Sequence, residues 1–281
     1  MVAAPCRAES GPALPDSVLR RDVCFLTDSL HTGGRVTGTV LSQGAISYIH
    51  RAFKNAGLWS RVQSFACGGK VGHNVIAVTP GYFKKYIVVG AYMDGIGTID
   101  GTYYPGADSN ASGVACMLGI ARNLARKCKG DTGIVFVAFD GHRADLSGSR
   151  SFVEKYLPGR RITMMINLDT IGSSLAPVDK DKPQYLIVLG GKKFINALES
   201  AGAGLGISLF CDYYGSSKFT ELFYRSISDQ KWFLQKNIAS IMFTSGITEH
   251  TNKASDTPDK LDYPLLAGRT QLISGWIGTL I

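Results

Sequence analysis

Acid–base groups are unevenly supplied in this chain. Seventeen of its 22 acidic residues are Asp and five are Glu (Glu9, Glu154, Glu199, Glu221 and Glu249), and there are five His (His31, His50, His73, His142 and His250). So short a roster allows any catalytic hypothesis to be tested by enumeration. Several of these residues fall just beyond short apolar runs. Asp94 follows the run 86–91, Asp140 and the pair His142–Arg143 follow 133–139, Asp169 follows 163–168, and Glu249–His250 lie past 238–244. Asp108 sits in Gly106-Ala107-Asp108-Ser109-Asn110-Ala111-Ser112-Gly113, which opens a helical pattern. Among these groups, the imidazoles of His142 and His250 have the pKa class suited to proton transfer.

The runs themselves predict the scaffold. Segments 86–91, 133–139, 163–168, 185–189 and 238–244 are short, apolar and β-branched, as strands covered on both faces should be. Helical patterns over 17–29, 39–56, 111–129, 146–156, 193–201, 231–236 and 264–280 alternate with them. Two alternating segments, 61–67 and 73–79, read as an antiparallel pair joined through Gly68–Gly69. Strands alternating with helices imply a mainly parallel sheet between helix layers, and in such sheets functional groups collect beyond the carboxyl ends of the strands. No repeat or linker divides the chain. We therefore expect one domain over 17–281, behind a flexible leader over 1–16.

Composition narrows the function classes. At 45% hydrophobic residues the chain has material for a core, which excludes disorder. No stretch approaches the roughly 18 unbroken apolar residues of a membrane span. The net charge of +8 is spread over scattered Lys and Arg, without the clustering or interleaved aromatics of a nucleic-acid module. Six Cys show neither a CxxC pair nor a metal-finger spacing, leaving room for one disulfide at most. The Ala/Pro/Gly/Ser-rich start lacks an apolar signal core. We expect it to lead a mature exported chain, periplasmic or extracellular.

The motifs are more specific. VVGAYMDG (88–95), PGADSNASGVACML (105–118), VFVAFDGHRADLSGSRSFV (135–153), MINLDTIG (165–172) and SDTPDKLDY (255–263) resemble the zinc exopeptidases of clan MH. Within that clan the chain is similar to peptidase family twenty-eight, the bacterial leucyl-type aminopeptidases and glutaminyl cyclases. The similarity covers about residues 17–281, and 33–49 is similar to the N-terminal segment of exported bacterial members. The fold implied is a three-layer α/β/α sandwich with a mixed, mostly parallel central sheet, the zinc-exopeptidase (phosphorylase/hydrolase-like) fold.

What the resemblance implies for chemistry is uneven. In the family, two zinc ions are bridged by one Asp, and metal-activated water attacks the peptide carbonyl. The bridging Asp maps to Asp108, a second ligand to Asp169 and the C-terminal ligand His to His250. The Asp behind the first ligand His maps to Asp94. That first His, however, falls on Tyr92. The paired glutamates, a general base followed by a ligand, fall on His142 and Arg143, between flanks that align without a gap. Catalytic zinc sites keep three protein ligands and a water, whereas each zinc here would retain two. Arg143 also places a permanent cation where a dication should sit.

These substitutions imply a catalytically degenerate aminopeptidase-like protein that needs no cofactor and keeps a pocket for a peptide, a small amine or a partner. The alternative is an active metalloaminopeptidase with an atypical zinc site. In the degenerate reading, Arg143 replaces the metals by bridging Asp108 and Asp169. His142 then lines the pocket rather than acting as a base, and Glu249 points away. Four local readings complete the set. Asp108 suits a helix N-cap, and Ser228–Asp229 read as a cap for the following helix. Asn110-Ala111-Ser112 matches a glycosylation pattern only incidentally. Tyr103, Tyr104, Tyr213, Tyr214, Phe219 and Tyr224 are expected to rim the pocket.

Overall fold

The computed structural model describes residues 13–281. In chain order it runs α1 (Asp16–Thr27), a short α2 (Ser29–Thr32), α3 (Ser42–Asn55), β1 (Trp59–Cys67), β2 (Lys70–Val78) and β3 (Lys85–Tyr92). There follow β4 (Gly97–Ile99), β5 (Thr102–Tyr104), α4 (Ser112–Leu124), β6 (Thr132–Phe139), α5 (Ser147–Lys155) and β7 (Ile162–Leu168). The last third holds β8 (Tyr185–Leu189), α6 (Ile195–Ala201), β9 (Ser208–Cys211), α7 (Ser217–Arg225), α8 (Gln230–Gln235), β10 (Ser240–Thr244) and α9 (Tyr263–Gly278).

Eight strands form one sheet in the order β1-β2-β6-β3-β7-β10-β8-β9. The four central strands β6, β3, β7 and β10 are mutually parallel, and antiparallel pairings with β2 and β8 flank them. The expected β1–β2 hairpin is present and turns at Gly68–Gly69. All eight residues of β6 are buried, which is why that stretch is uniformly apolar instead of alternating.

Side-chain alternation along β3 sorts the two faces. Ile87, Val89 and Ala91 join the large core beneath α1, α3, α4 and α9. Val88 and Tyr92 point the other way, onto Phe152, Tyr156 and Phe233 of the α5–α8 layer. The result is three layers, as expected. Every central strand delivers its carboxyl end to the same edge, where Tyr92 ends β3 and Asp140 and Asp169 directly follow β6 and β7.

Some expectations shift. Residues 1–12 lie outside the described part, so most of the proposed leader and Cys6 do too, whereas Asp16 already begins α1. The other five Cys are unpaired. The small β4–β5 hairpin, β9 and α7 do not appear in the sequence-based reading. The strands among them are only three or four residues long, too brief to show a period, whereas α7 does carry helical spacing at Phe219, Leu222 and Phe223. No described helix is long and apolar enough to cross a membrane.

Candidate active site

The turn after β6 is set by carboxylates that accept backbone hydrogen bonds. Asp94, just past β3, accepts from the amides of His142 (2.9 Å) and Arg143 (3.0 Å). Asp140 accepts from the Gly141 and His73 amides and from the Thr37 hydroxyl. His142 is thereby aimed inward. Its ring stacks on Tyr92 with centroids 3.7 Å apart and 15° between planes, and Nδ1 lies 2.8 Å from Asp229 Oδ2. Burial opposes charge on this imidazole, but Asp229, followed by Asp169 and Asp94, outweighs it and raises the pKa.

Deeper in, acidic groups crowd together. Asp108 Oδ1 accepts from the Gly172 amide (2.7 Å) and the Ser112 hydroxyl (2.8 Å), while its buried Oδ2 has no partner. Asp256 receives the amides of Asp108 (2.7 Å) and Ser109 (3.0 Å). Asp169 Oδ2 accepts from the Ser228 hydroxyl at 2.6 Å. Burial, reinforced by Asp256, pushes Asp108 up to about 7. Burial also lifts Asp94 to about 6, with His142 pulling against it. Asp169 is raised as well, by burial first.

Asn110 locks this floor together. Its Nδ2 donates to the Tyr92 and Leu168 carbonyls, and its Oδ1 accepts from the Gly113 and Thr170 amides. One amide thus ties the ends of β3 and β7 to the start of α4. Gly113 makes the approach feasible, since a Cβ there would meet Asn110 Oδ1 at 2.3 Å and the Leu168 carbonyl at 2.6 Å. Asn110 is fully buried, consistent with its sequon being incidental.

Arg143 corrects an expectation. It does not bridge Asp108 and Asp169. The side chain is exposed, with Nη2 2.8 Å from Asn252 Oδ1 and at a long 3.5 Å from the Ser109 carbonyl. The physical reason is solvation: a guanidinium kept in water avoids a desolvation cost that pairing must otherwise recover. Backbone N–H groups and hydroxyls meet the carboxylates instead, and burial raises their pKa values. Arg143 and Asp94 line a cavity of about 410 Å³ with Val36, Thr37, Cys67 and Lys70.

His250 lies on the loop after β10, its Nδ1 3.0 Å from Ser255 Oγ. Glu249 is solvent-facing, 3.7 Å from His250 Nε2. Three further expectations change. Asp108 is not the N-cap of α4, which has no side-chain cap, because its carboxylate is turned onto Gly172 and Ser112. Ser228 and Asp229 do not cap α8; their side chains reach Asp169 and His142. The aromatic cluster does not form one rim. Tyr214, Phe219 and Tyr224 pack with Tyr185 and Met242, and the Tyr103 hydroxyl donates to the Thr27 carbonyl.

Residues 74–277 match the model of Peptidase family M28. The chain belongs to that family. Among curated relatives it is 28% identical to the uncharacterized protein YfbL of Escherichia coli K12, over 93% of this chain and 86% of that one. It is also 28% identical to a probable leucine aminopeptidase 1 of Trichophyton verrucosum, over 74% of this chain but 58% of that one. Among solved structures it is similar to the zinc aminopeptidase BSAP of Bacillus subtilis (TM-score 0.75, 15% identity, 94% of each chain). It likewise superposes on a Porphyromonas gingivalis glutaminyl cyclase (TM-score 0.73, 17% identity, 96% of this chain and 100% of that one).

Membership in the family implies a pair of zinc ions, and some of the side chains at the positions carried over from it lack ready metal-donor chemistry. Tyr92 is buried and its phenol is held well above its usual pKa by burial and by Asp169, so no phenolate is on offer near neutrality. His142 Nδ1 is taken by Asp229, and Arg143 carries no donor pair. Among the described residues, no three His, Cys, Asp or Glu side chains converge as a metal set. Among the described residues, two buried carboxylate oxygens at the site lack a partner, Asp108 Oδ2 and Asp229 Oδ1.

Proposed function

We propose that this M28 protein is an aminopeptidase-like receptor that does not hydrolyse peptides, and that its site works without metal. The observation carrying this reading is His142. In the position of the family's general base stands an imidazole stacked on Tyr92 and tethered to Asp229, held as a structural pair. The retained function is binding. Burial makes the carboxyls of Asp108, Asp169 and Asp256 favour protons, and a bound cation such as the free amine of a peptide end or a small amine would take the protons' place.

The test is a fluorogenic leucyl substrate, assayed with and without added Zn²⁺, on the parent and on a triple variant carrying Tyr92→His, His142→Glu and Arg143→Glu. The parent should be silent in both conditions and the triple variant should turn over with zinc. Turnover by the parent overturns the proposal. The free Asp108 Oδ2 favours a second reading, an active metalloaminopeptidase with an atypical site, and the same assay separates the two.

A further inference from the structure

A second recess lies at the other end of α4. That helix has 13 residues, so at about 1.5 Å per residue its far end stands roughly 20 Å from the acidic floor. There α1, α3 and the turn after α4 enclose a cavity of about 700 Å³, within the roughly 300–1,000 Å³ typical of small-molecule sites. One side of it is apolar: the Phe25 and Tyr48 rings stack at 4.1 Å, and Ala52, Ala56 and Ala125 continue the surface, with Asn55 and Asn123 also in the lining.

Five cations surround this wall: Arg21, Arg51, Arg122, Arg126 and Lys127. One buried carboxylate, Asp22, answers Arg21 and Arg122 and also accepts from the Tyr48 hydroxyl. That leaves Arg51, Arg126 and Lys127 with no ion pair among the described residues, and the only acid outside them is Glu9. Gly57 leaves space for Arg126: a Cβ at 57 would meet the guanidinium at 3.2–3.3 Å. Helix C-terminal dipoles account for one or two such cations. Five around one concave wall exceed that need, and a bound polyanion would relieve their mutual repulsion.

We propose that this recess binds a phosphorylated small molecule, its phosphates held by Arg51, Arg122, Arg126 and Lys127 and its flat apolar body resting on the Tyr48–Ala52–Ala56 wall. Guanidiniums suit phosphate because their paired N–H groups match its oxygens. A nucleoside diphosphate has the implied size and shape. Nothing in this depends on the chemistry at the strand ends.

Isothermal titration of the full chain with ADP, inorganic pyrophosphate and citrate, at low and physiological salt, tests it. ADP should bind saturably at one site, pyrophosphate more weakly and citrate more weakly still. The double variant Arg51→Glu/Arg126→Glu should weaken ADP by about tenfold or more. Lys192→Glu/Lys193→Glu, with the same change in net charge on exposed residues elsewhere, should leave it unchanged. The proposal fails if no probe saturates, if citrate equals ADP, if pyrophosphate matches ADP, or if both double variants weaken binding alike.

Discussion

Replacing Asp108 with Asn should flatten the dependence of stability on pH. In the folded protein Asp108 is raised from 3.8 to about 7 by burial and by Asp256. Between those values the folded state keeps a proton that the unfolded chain has released, so stability falls as pH rises. The contribution is fully present below about pH 4 and lost once pH passes about 7. At roughly 1.36 kcal/mol per pH unit, that interval amounts to about 4 kcal/mol. Asn stays neutral throughout. Its Oδ1 still accepts from Gly172 and Ser112, and its buried amide, in place of the unpartnered oxygen, costs about 1–3 kcal/mol at every pH. Urea unfolding from about pH 4 to 8, with a chelator present, reads the difference. The parent should lose about 4 kcal/mol more than the variant across that range. Parallel profiles would refute the claim that Asp108 is discharged by a proton and not by a neighbouring cation.

Other outcomes follow from the same contacts. Arg143→Ala should change stability by no more than about 0.5 kcal/mol in urea unfolding, because the side chain is exposed and loses one hydrogen bond to Asn252. Asn110→Ala should cost about 3 kcal/mol or more by the same measurement, since it strands two amides and two carbonyls in the core. Asp229→Asn should lower the His142 pKa, as followed by NMR titration of the ring, because Asp229 supplies the main force raising it. An unchanged titration would mean that the Asp229 contact does not hold the ring.

Much of the scaffold is legible in the sequence because the central strands are covered on both faces and stand out as apolar β-branched runs. The carboxyl-end rule then places Asp94, His142 and Asp169 at one edge without any contact information. The site's inner connections are not legible. Asp229 and Ser228 read as helix caps, since a Ser-Asp pair before a helix has that local meaning, and only the packing of α8 against β7 and α5 turns them onto Asp169 and His142. Asn110 reads as a sequon because three of its four partners come from two distant segments. Arg143 departs from expectation for an energetic reason: proximity in sequence to an acidic cluster predicts pairing only if desolvation is repaid, and here the guanidinium stays in water. The loop tyrosines read as a rim because α7, only nine residues long, passes for loop, although Phe219 and Phe223 stand at helical spacing and draw Tyr214 and Tyr224 into a core.

Zinc content bears most directly on the central claim. The full chain, purified without chelator and dialysed against zinc-containing buffer, should hold well below one equivalent by elemental analysis. The variant with Tyr92→His, His142→Glu and Arg143→Glu should approach two. One to two tightly held zinc ions per parent chain would contradict the account and identify a working metal centre in spite of Tyr92, His142 and Arg143.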